Sequence, residues 1–368
     1  MSRISAAITA VGSYVPDFVL TNQILETMVD TNDEWIVSRT GIRERRIAGA
    51  NDTTASLASE AALRALEVAN LHPSDLDLII VSTSSPDYIF PATACMVQDQ
   101  IGAVRAGAFD LLAACTGFVY GVNLGAQAIK SNSANNVLVI GSETLSRIVN
   151  WKDRNTCILF GDGAGAFVIQ GSEEPGGVIS AVLRSDGSGA DLLSVPASGS
   201  RHPASMQTLY DGLHYIQMNG REVFRFATRV MAEASQQAVE AAHLTMDDIQ
   251  IVIPHQANSR IIAAAARGLN IPMERVMMNL DRYGNTSTAS IPIATIEAVQ
   301  TERLNPGDKT VMVAFGSGLT WGAVLIEWTG PLPSQRKVRP RQVRWTARTR
   351  SALARLRRRI DGFIWGNG

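Results

Sequence analysis

Residues 108–118 read Ala-Phe-Asp-Leu-Leu-Ala-Ala-Cys-Thr-Gly-Phe, and this run decides how the chain is interpreted. Its apolar first part predicts a strand, and the small residues after it predict a helix. Cys115 stands at the junction between the two. A helix N-terminus stabilises a thiolate and lowers a cysteine pKa from about 8.5 to roughly 3.5–7.5. The position predicts a nucleophile, and a small buried core residue is the alternative for Cys115 taken alone.

Two later segments favour the catalytic interpretation. Residues 251–258, Ile-Val-Ile-Pro-His-Gln-Ala-Asn, predict a strand that ends just before His255, and a side chain there points into the site crevice of an α/β sheet. Residues 281–290 contain a Gly-Asn turn at Asn285, followed by small hydroxylated residues. Such a turn lets backbone pass close to a ligand and offers a neutral amide donor. Each residue alone has a structural interpretation, but the three segments together predict an active site.

These segments resemble the Cys-His-Asn triad of β-ketoacyl-acyl-carrier-protein synthase III, a thiolase-fold condensing enzyme. Residues 28–46 are similar to the amino-terminal signature of that family, and residues 160–165 and 315–322 resemble its two Gly-rich loops. The resemblance covers residues from about 4 to 328. It implies a duplicated, layered α/β fold with the active site between two similar halves.

The resemblance also implies a reaction, the decarboxylative condensation of a short acyl-CoA with malonyl-acyl-carrier protein that initiates fatty acid biosynthesis. Cys115 would take the acyl group, and His255 and Asn285 would hold the malonyl thioester carbonyl as neutral donors. Backbone N–H groups of Cys115 and Ser317 would bind the other oxyanion. The family usually has glycine where Ser317 stands, but a backbone donor tolerates that change. Neither a metal nor a cofactor is implied.

Further residues carry roles by resemblance only. Trp35, Arg39 and Arg154 match positions around the CoA nucleotide, where an indole stacks on a base and guanidinium groups meet phosphate. Arg260 resembles a contact for the carrier protein, and Asn258 resembles a support for the site. The acyl pocket would be lined by Phe160 and closed by Phe90, which in this family comes from the partner subunit of a homodimer. The alternatives are a core tryptophan and solvated arginines for the three CoA residues, and a helix-surface charge for Arg260.

Composition agrees with an ordinary globular enzyme. The 368 residues are 46% hydrophobic and 18% charged, and no run approaches the 18 apolar residues of a membrane span. Residues 1–11 predict a first strand rather than a signal peptide, because only Arg3 is basic and Ser5 and Thr9 interrupt the apolar run. Three cysteines without Cys-x-x-Cys spacing argue against a zinc site or a disulfide framework, and favour the cytoplasm.

An internal repeat predicts duplication independently of the resemblance. Residues 71–80 align with 244–253, and each copy follows an Ala-rich helical pattern, at 54–70 and 226–243. Residues 171–205 are interpreted mostly as crossover and loop. We therefore expect an amino-terminal half at 1–173 with the nucleophile, a carboxyl-terminal half at 174–330 with His255 and Asn285, and a basic extension at 331–368.

The extension departs from the family. Residues 334–368 contain 11 basic residues and one acidic residue, whereas the rest of the chain has a net charge of −11. Leu353, Leu356, Ile360, Phe363 and Ile364 share one helical face, with arginines mostly around the other, as in a basic interfacial helix. The open interpretations are contact with a membrane surface, contact with an acidic carrier protein, a helix docked on its own subunit, and a solvated appendage. No nucleic-acid partner is expected, since the body is acidic and lacks a nucleic-acid-binding motif.

Other functions fit the sequence less well. A degradative thiolase needs a second cysteine near the carboxyl end, and none follows Cys157. A hydroxymethylglutaryl-CoA synthase-like or head-to-head condensing enzyme needs a carboxylate base before Phe90, where residues 81–88 offer only Asp87. A non-catalytic acyl-binding or carrier-binding partner would have lost Cys115. Plant-type polyketide synthases share the triad and are the second choice. The acyl starter, acetyl, branched or longer, and the choice between primary and specialised metabolism are left open.

Overall fold

Two β-sheets carry the fold. The computed structural model of the protein describes residues 4–330 and 339–364. Within them, a first sheet has the strand order β1-β7-β6-β4-β5, a second sheet has the order β11-β12-β13-β8, and two small ribbons pair β2 with β3 and β9 with β10. The strands are β1 (Ser5–Tyr14), β2 (Val19–Thr21), β3 (Glu44–Arg46), β4 (Leu78–Ser82), β5 (Gly107–Leu111), β6 (Asn136–Glu143), β7 (Gly163–Ser172), β8 (Gly177–Ser185), β9 (Leu193–Ser194), β10 (Gln217–Met218), β11 (Ile251–Pro254), β12 (Lys309–Gly316) and β13 (Thr320–Glu327).

Helices separate and cover the two sheets. They are α1 (Asn22–Glu26), α2 (Asp33–Thr40), α3 (Thr54–Ala69), α4 (Thr93–Ile101), α5 (Gly117–Lys130), α6 (Met206–Tyr210), α7 (Gly220–Glu240), α8 (Ser259–Gly268), α9 (Leu280–Tyr283), α10 (Ser290–Gln300) and α11 (Pro340–Ile364). No helix in the described part of the chain is both long and apolar enough to cross a bilayer.

Three of the apolar clusters in the described chain define five layers. One apolar cluster joins α3 and α4 to the outer face of the first sheet. A second cluster lies between the sheets and takes residues from α5, α10 and strands of both. A third cluster joins α7 and α8 to the outer face of the second sheet. Since both faces of each sheet are covered, strands such as β6 and β12 are buried along nearly their whole length.

The predicted repeat is present in the structure. In each copy a long helix, α3 or α7, is followed by a short 3₁₀ turn and then by a strand, β4 or β11, that enters its sheet. The duplicated, layered α/β architecture predicted from the sequence is present. Residues 171–205, interpreted mostly as crossover and loop, also contain β8, which among the described strands pairs with β13 alone and forms an edge of the second sheet.

The central layer positions the site. Helix α5 begins just after β5, and α10 begins just after the 3₁₀ turn Ser287–Ala289. Strands β11 and β12 run parallel, so their carboxyl ends meet at the same edge. Ends of elements from both repeats therefore converge at one crevice, as open α/β sheets favour.

The basic extension forms α11, which packs on the amino-terminal half of the chain. Val343, Ala347 and Ser351 are buried against α3 and α4, and Val343 belongs to the apolar cluster of those helices. Arg344 pairs with Glu60, and the Ser351 hydroxyl donates to the Asp99 carboxylate at 2.7 Å. Of the open interpretations, docking on its own subunit is the one that the structure shows. The predicted contributions of Phe363 and Ile364 lie outside the described side chains.

Candidate active site

The predicted nucleophile lies in a strained connection between β5 and α5. Cys115 is in the 3₁₀ turn Ala114–Thr116, and Ala114 has φ +45°, a left-handed conformation that costs a residue with a side chain about 1 kcal/mol or more. Strand β12 ends against this turn. A Cβ placed on Gly316 would lie 2.7 Å from the Cys115 nitrogen, so only glycine allows the approach. The second half of the chain thus packs directly on Cys115.

A cavity of about 460 Å³ opens at Cys115. Phe160 and Ser317, both predicted site residues, line it. The Ser317 hydroxyl donates to the Leu193 carbonyl, which holds the loop after β12 at the cavity wall. Most of the remaining lining residues are apolar or small: Ser84, Leu112, Ala113, Ala114, Leu145, Ile148, Leu193, Ser194, Val195, Ile216, Ser287, Gly318 and Thr320.

The expected activation of Cys115 by a low pKa is wrong for the free enzyme. Burial raises the pKa of the thiol to about 12, because a thiolate in this apolar cavity loses its hydration. The hydroxyl of Ser287 and the backbone N–H of Cys115 act in the opposite direction, and the charge of Glu143 raises the pKa further. The position at the start of α5 was predicted correctly, but the desolvation of the cavity outweighs it.

Glu143 is a site residue that the sequence analysis missed. It ends β6 fully buried, and its carboxylate accepts hydrogen bonds from the Ser85 hydroxyl at 2.6 Å, the Ser84 N–H at 3.1 Å and the Thr288 hydroxyl at 3.1 Å. Burial nevertheless raises the pKa of Glu143, and Ser287 helps to lower it. The available signal was a glutamate at the carboxyl end of an apolar strand. Asp87, the only carboxylate that residues 81–88 offer, accepts from the Ala55 N–H.

His255 follows β11 as predicted and is 1% exposed. Its Nδ1 lies 2.7 Å from the Ser290 hydroxyl, and its ring packs edge-on against Phe315. Burial lowers the pKa of His255 to about 3, so the imidazole is neutral near pH 7. The Ser290 hydroxyl also lies 2.8 Å from the Ser287 carbonyl. It can donate to that carbonyl or to Nδ1, and donation to Nδ1 leaves the ring proton on Nε2.

Asn285 is held by its backbone and its side-chain oxygen. Its N–H donates to the Leu159 carbonyl at 2.8 Å, and its carbonyl accepts from the Gly161 N–H at 3.0 Å, which places it beside Phe160. Its Oδ1 accepts from the Ser287 N–H at 2.8 Å. With the oxygen engaged in this way, the Nδ2 amide is the part of the side chain that can donate to a ligand, as predicted for this residue.

The three residues predicted to hold CoA lie together. The Arg39 guanidinium carbon is 4.7 Å from the Trp35 ring centroid, and that of Arg154 is 5.1 Å from the same ring. Arg154 also donates to the carbonyl of Asp30 at 3.0 Å. Together the Trp35 indole and the two guanidinium groups offer an aromatic ring and positive charge, which suit a nucleotide.

Asn258 connects this cluster to α8. Its Oδ1 accepts from the Arg260 N–H at 2.9 Å and caps α8, while its Nδ2 donates to the Arg39 carbonyl at 2.9 Å. Arg260 is exposed, with its guanidinium carbon 5.4 Å from the Phe224 ring. The predicted site support therefore links the predicted CoA and carrier-protein contacts.

Phe90 is not brought to the cavity of its own chain. It is 84% exposed, and its neighbour Ile89 is 77% exposed. Phe90 precedes α4, which leads into the edge strand β5. An exposed aromatic beside a sheet edge agrees with a residue that acts on another copy, and its role stays a prediction.

Comparison with known proteins now identifies the family. A profile of 3-oxoacyl-[acyl-carrier-protein] synthase III matches residues 109–187, and the profile of its C-terminal region matches residues 239–328. The β-ketoacyl-[acyl-carrier-protein] synthase III of Desulfitobacterium hafniense strain DCB-2 is 56% identical over 326 residues, which are 89% of this chain and 98% of that relative. The chain belongs to the β-ketoacyl-acyl-carrier-protein synthase III family. The resemblance seen in the sequence is confirmed.

Solved structures of a synthase III and of a priming β-ketosynthase have the same fold as this chain. The enzyme from Aquifex aeolicus VF5 is 48% identical with a TM-score of 0.82, over 88% of this chain and all of that one. The priming β-ketosynthase of the R1128 polyketide pathway is 34% identical with a TM-score of 0.83, over 90% of this chain and 98% of that one. The C-terminal profile ends at residue 328, so α11 lies outside the matched region.

Proposed function

We propose that Cys115, His255 and Asn285 carry out the two half-reactions of a β-ketoacyl-acyl-carrier-protein synthase III. As a member of this family the protein is an acyltransferase of fatty acid biosynthesis. It joins a short acyl starter from acyl-CoA to malonyl-acyl-carrier protein, giving 3-oxoacyl-carrier protein, CoA and CO₂. The observation that carries the assignment is a buried thiol in a cavity at the meeting point of both halves of the chain.

In the first half-reaction the Cys115 sulfur attacks the acyl-CoA carbonyl. A thioester to Cys115 forms, the bond to the CoA sulfur breaks, and the thiol proton leaves with CoA. The backbone N–H groups of Cys115 and Ser317 would stabilise the oxyanion, which the close approach of Gly316 to the Cys115 nitrogen supports. Because burial keeps the thiol protonated in the free enzyme, the thiolate would form only when the starter has bound.

In the second half-reaction the malonyl group loses CO₂ and leaves an enolate. Its carbon attacks the Cys115 thioester, the new carbon–carbon bond forms, and the Cys115 sulfur leaves as a thiolate that takes up a proton from water. Nε2 of His255 and Nδ2 of Asn285 would donate to the thioester oxygen on which negative charge develops. A neutral imidazole suits this role, since burial lowers the pKa of His255 to about 3. Donation from the Ser290 hydroxyl to Nδ1, 2.7 Å away, in place of its hydrogen bond to the Ser287 carbonyl, would keep the proton on Nε2.

The substrates would approach from the side of α2 and α8. Trp35, Arg39 and Arg154 would hold the CoA nucleotide, and Arg260 would meet an acidic carrier protein. Asn258 supports this arrangement because it ties the Arg39 carbonyl to the start of α8.

We also propose a homodimer formed along β5. This strand is an edge of the first sheet, and unpaired edges invite pairing with another chain. Large apolar side chains near the edge are exposed, among them Phe109 at 39%, Leu112 at 78% and Phe90 at 84%. In such a pair Phe90 of one copy would close the cavity of the other. Phe109→Lys should give monomers in sedimentation velocity, while the control Phe18→Lys should not.

The compartment is proposed as the cytoplasm, as the cysteine pattern predicted. Cys95, Cys115 and Cys157 are all free thiols in the structure, which suits a reducing environment.

An assay with two acceptors tests the proposed reaction. Purified protein is given a series of acyl-CoA starters with either malonyl-acyl-carrier protein or malonyl-CoA, and products are read by mass spectrometry. We expect one condensation on the carrier protein with a short starter. Repeated extension on malonyl-CoA would instead indicate a polyketide synthase, and absence of both products would overturn the proposal.

A further inference from the structure

The outward face of α11 is apolar and has no partner in the described structure. Opposite the docked residues Val343, Ala347 and Ser351, four large side chains point to solvent. They are Trp345 at 69%, Leu353 at 61%, Leu356 at 54% and Ile360 at 47% exposed. At 100° per residue they form one stripe, which runs from residue 345 to residue 360 over about 22 Å. An exposed apolar stripe of this length on an anchored helix is typical of an interaction surface.

Arginines border the stripe on both sides. Arg341, Arg348 and Arg359 lie along one border, and Arg350 and Arg357 along the other, all of them exposed. Long arginine side chains can lie beside an apolar surface while their guanidinium groups reach phosphate. A flat surface that has an apolar interior and anionic groups at its boundary complements both the apolar stripe and the two rows of arginine.

We propose that the outward face of α11 binds the surface of an anionic lipid bilayer and holds the synthase against it. Tryptophan, leucine and isoleucine would enter the headgroup region, and the two rows of arginine would meet lipid phosphates. The body has a net charge of −11 outside residues 334–368, so α11 is the part of the chain with the opposite sign. Charge therefore orients the protein with α11 toward the bilayer and the body away from it.

The position of α11 argues against the carrier protein as the occupant. Helix α11 contacts Asp99 and lies against Gly102, just before the chain enters β5. Cys115 follows the other end of that strand, about 17 Å away for five residues. Arg260, the proposed carrier contact, follows the carboxyl end of β11, on the side of the nucleophile. The proposed carrier contact and α11 therefore lie toward opposite ends of these strands.

Vesicle co-sedimentation tests the proposal with the full chain. Vesicles of equal parts phosphatidylglycerol and phosphatidylcholine are compared with phosphatidylcholine alone, at low and near-physiological salt. We expect binding to the anionic vesicles that weakens as salt rises, because the Debye length falls. Each arginine near an anionic surface strengthens binding by roughly fivefold, so Arg348→Gln/Arg350→Gln/Arg359→Gln should lose on the order of 100-fold.

The apolar stripe has its own variant and control. Leu353→Gln/Leu356→Gln/Ile360→Gln should weaken vesicle binding at least tenfold. These residues are outside the docked face, so circular dichroism and self-acylation from acyl-CoA should be unchanged. Ile179→Gln, on β8 and 37% exposed, is the matched control and should bind like the unaltered chain.

Four results would overturn the proposal. One is no binding to anionic vesicles at low salt, and another is equal binding by the stripe variant. A stripe variant that changes the sedimentation coefficient but not vesicle binding would identify a second copy of the chain as the occupant. A stripe variant with a higher KM for malonyl-acyl-carrier protein and unchanged vesicle binding would identify the carrier protein as the occupant.

Discussion

The two sides of the crevice are built from opposite kinds of chemistry. The amino-terminal side supplies two buried acidic groups, the Cys115 thiol and the Glu143 carboxyl. Burial raises the pKa of both, that of Cys115 to about 12. The carboxyl-terminal side supplies neutral donors, His255 with its pKa lowered to about 3 and the amide of Asn285. The same dry environment favours the neutral form of both the thiol and the imidazole. From this difference we propose that acylation uses the amino-terminal side and the malonyl half-reaction uses the carboxyl-terminal side.

The largest expected effect is on the amino-terminal side. Cys115→Ala should abolish both the acyl-enzyme and the overall reaction, because no other group at the cavity can replace the sulfur. Intact-mass spectrometry after incubation with acyl-CoA measures the adduct. A stable acyl adduct on the variant would remove Cys115 from its role.

The next largest effect should distinguish the half-reactions of the two sides of the crevice. His255→Ala and Asn285→Ala should retain self-acylation from acyl-CoA and lose condensation by ~10²–10³-fold each, the usual cost of removing one oxyanion donor. Single-turnover assays of each half-reaction provide the measurement. Equal loss in both half-reactions would contradict the division between the sides of the crevice.

A smaller effect is expected on the pKa of the Cys115 thiol, with opposite signs for substitutions at Glu143 and Ser287. Glu143→Gln removes a charge that raises the pKa of Cys115, so alkylation of Cys115 by iodoacetamide should begin at lower pH. Ser287→Ala removes a hydrogen bond that lowers the pKa, so alkylation should begin at higher pH. Each pKa unit changes the thiolate fraction about tenfold below the pKa. Shifts in the same direction for both variants would show that repacking, not electrostatics, controls the thiol.

The smallest effect lies away from the crevice. Val343→Ala on the docked face of α11 removes about two buried methylene equivalents and should lower the free energy of unfolding by ~1–2 kcal/mol. Leu353→Ala, on the outward face of the same helix, should change it by less than about 0.5 kcal/mol. Chemical denaturation compares the two, and self-acylation should be unchanged in both. Equal effects would mean that α11 does not dock through Val343.

The sequence by itself determined the family, the fold class and the repeat. It also determined that Cys115 follows β5, that His255 follows β11, and that Asn285 lies in the turn before α10. These follow from local patterns, since the end of an apolar strand can be recognised from residues adjacent in sequence. The cluster of Trp35, Arg39 and Arg154 also came together as expected. The division of the chain at residue 173 stays a prediction.

Tertiary structure alone decided the pKa of Cys115 and which face of α11 is buried. The helix start at Gly117 predicted a low pKa for Cys115, but desolvation depends on the whole cavity wall, to which distant segments such as Leu193 and Ser317 contribute. Glu143 and Ser290 become site residues only because separate elements bring them to the thiol and the imidazole. In α11 the periodicity showed two faces, and only packing against α3 and α4 decided which one is buried. Burial is a property of all neighbours in space, and the sequence specifies the neighbours along the chain.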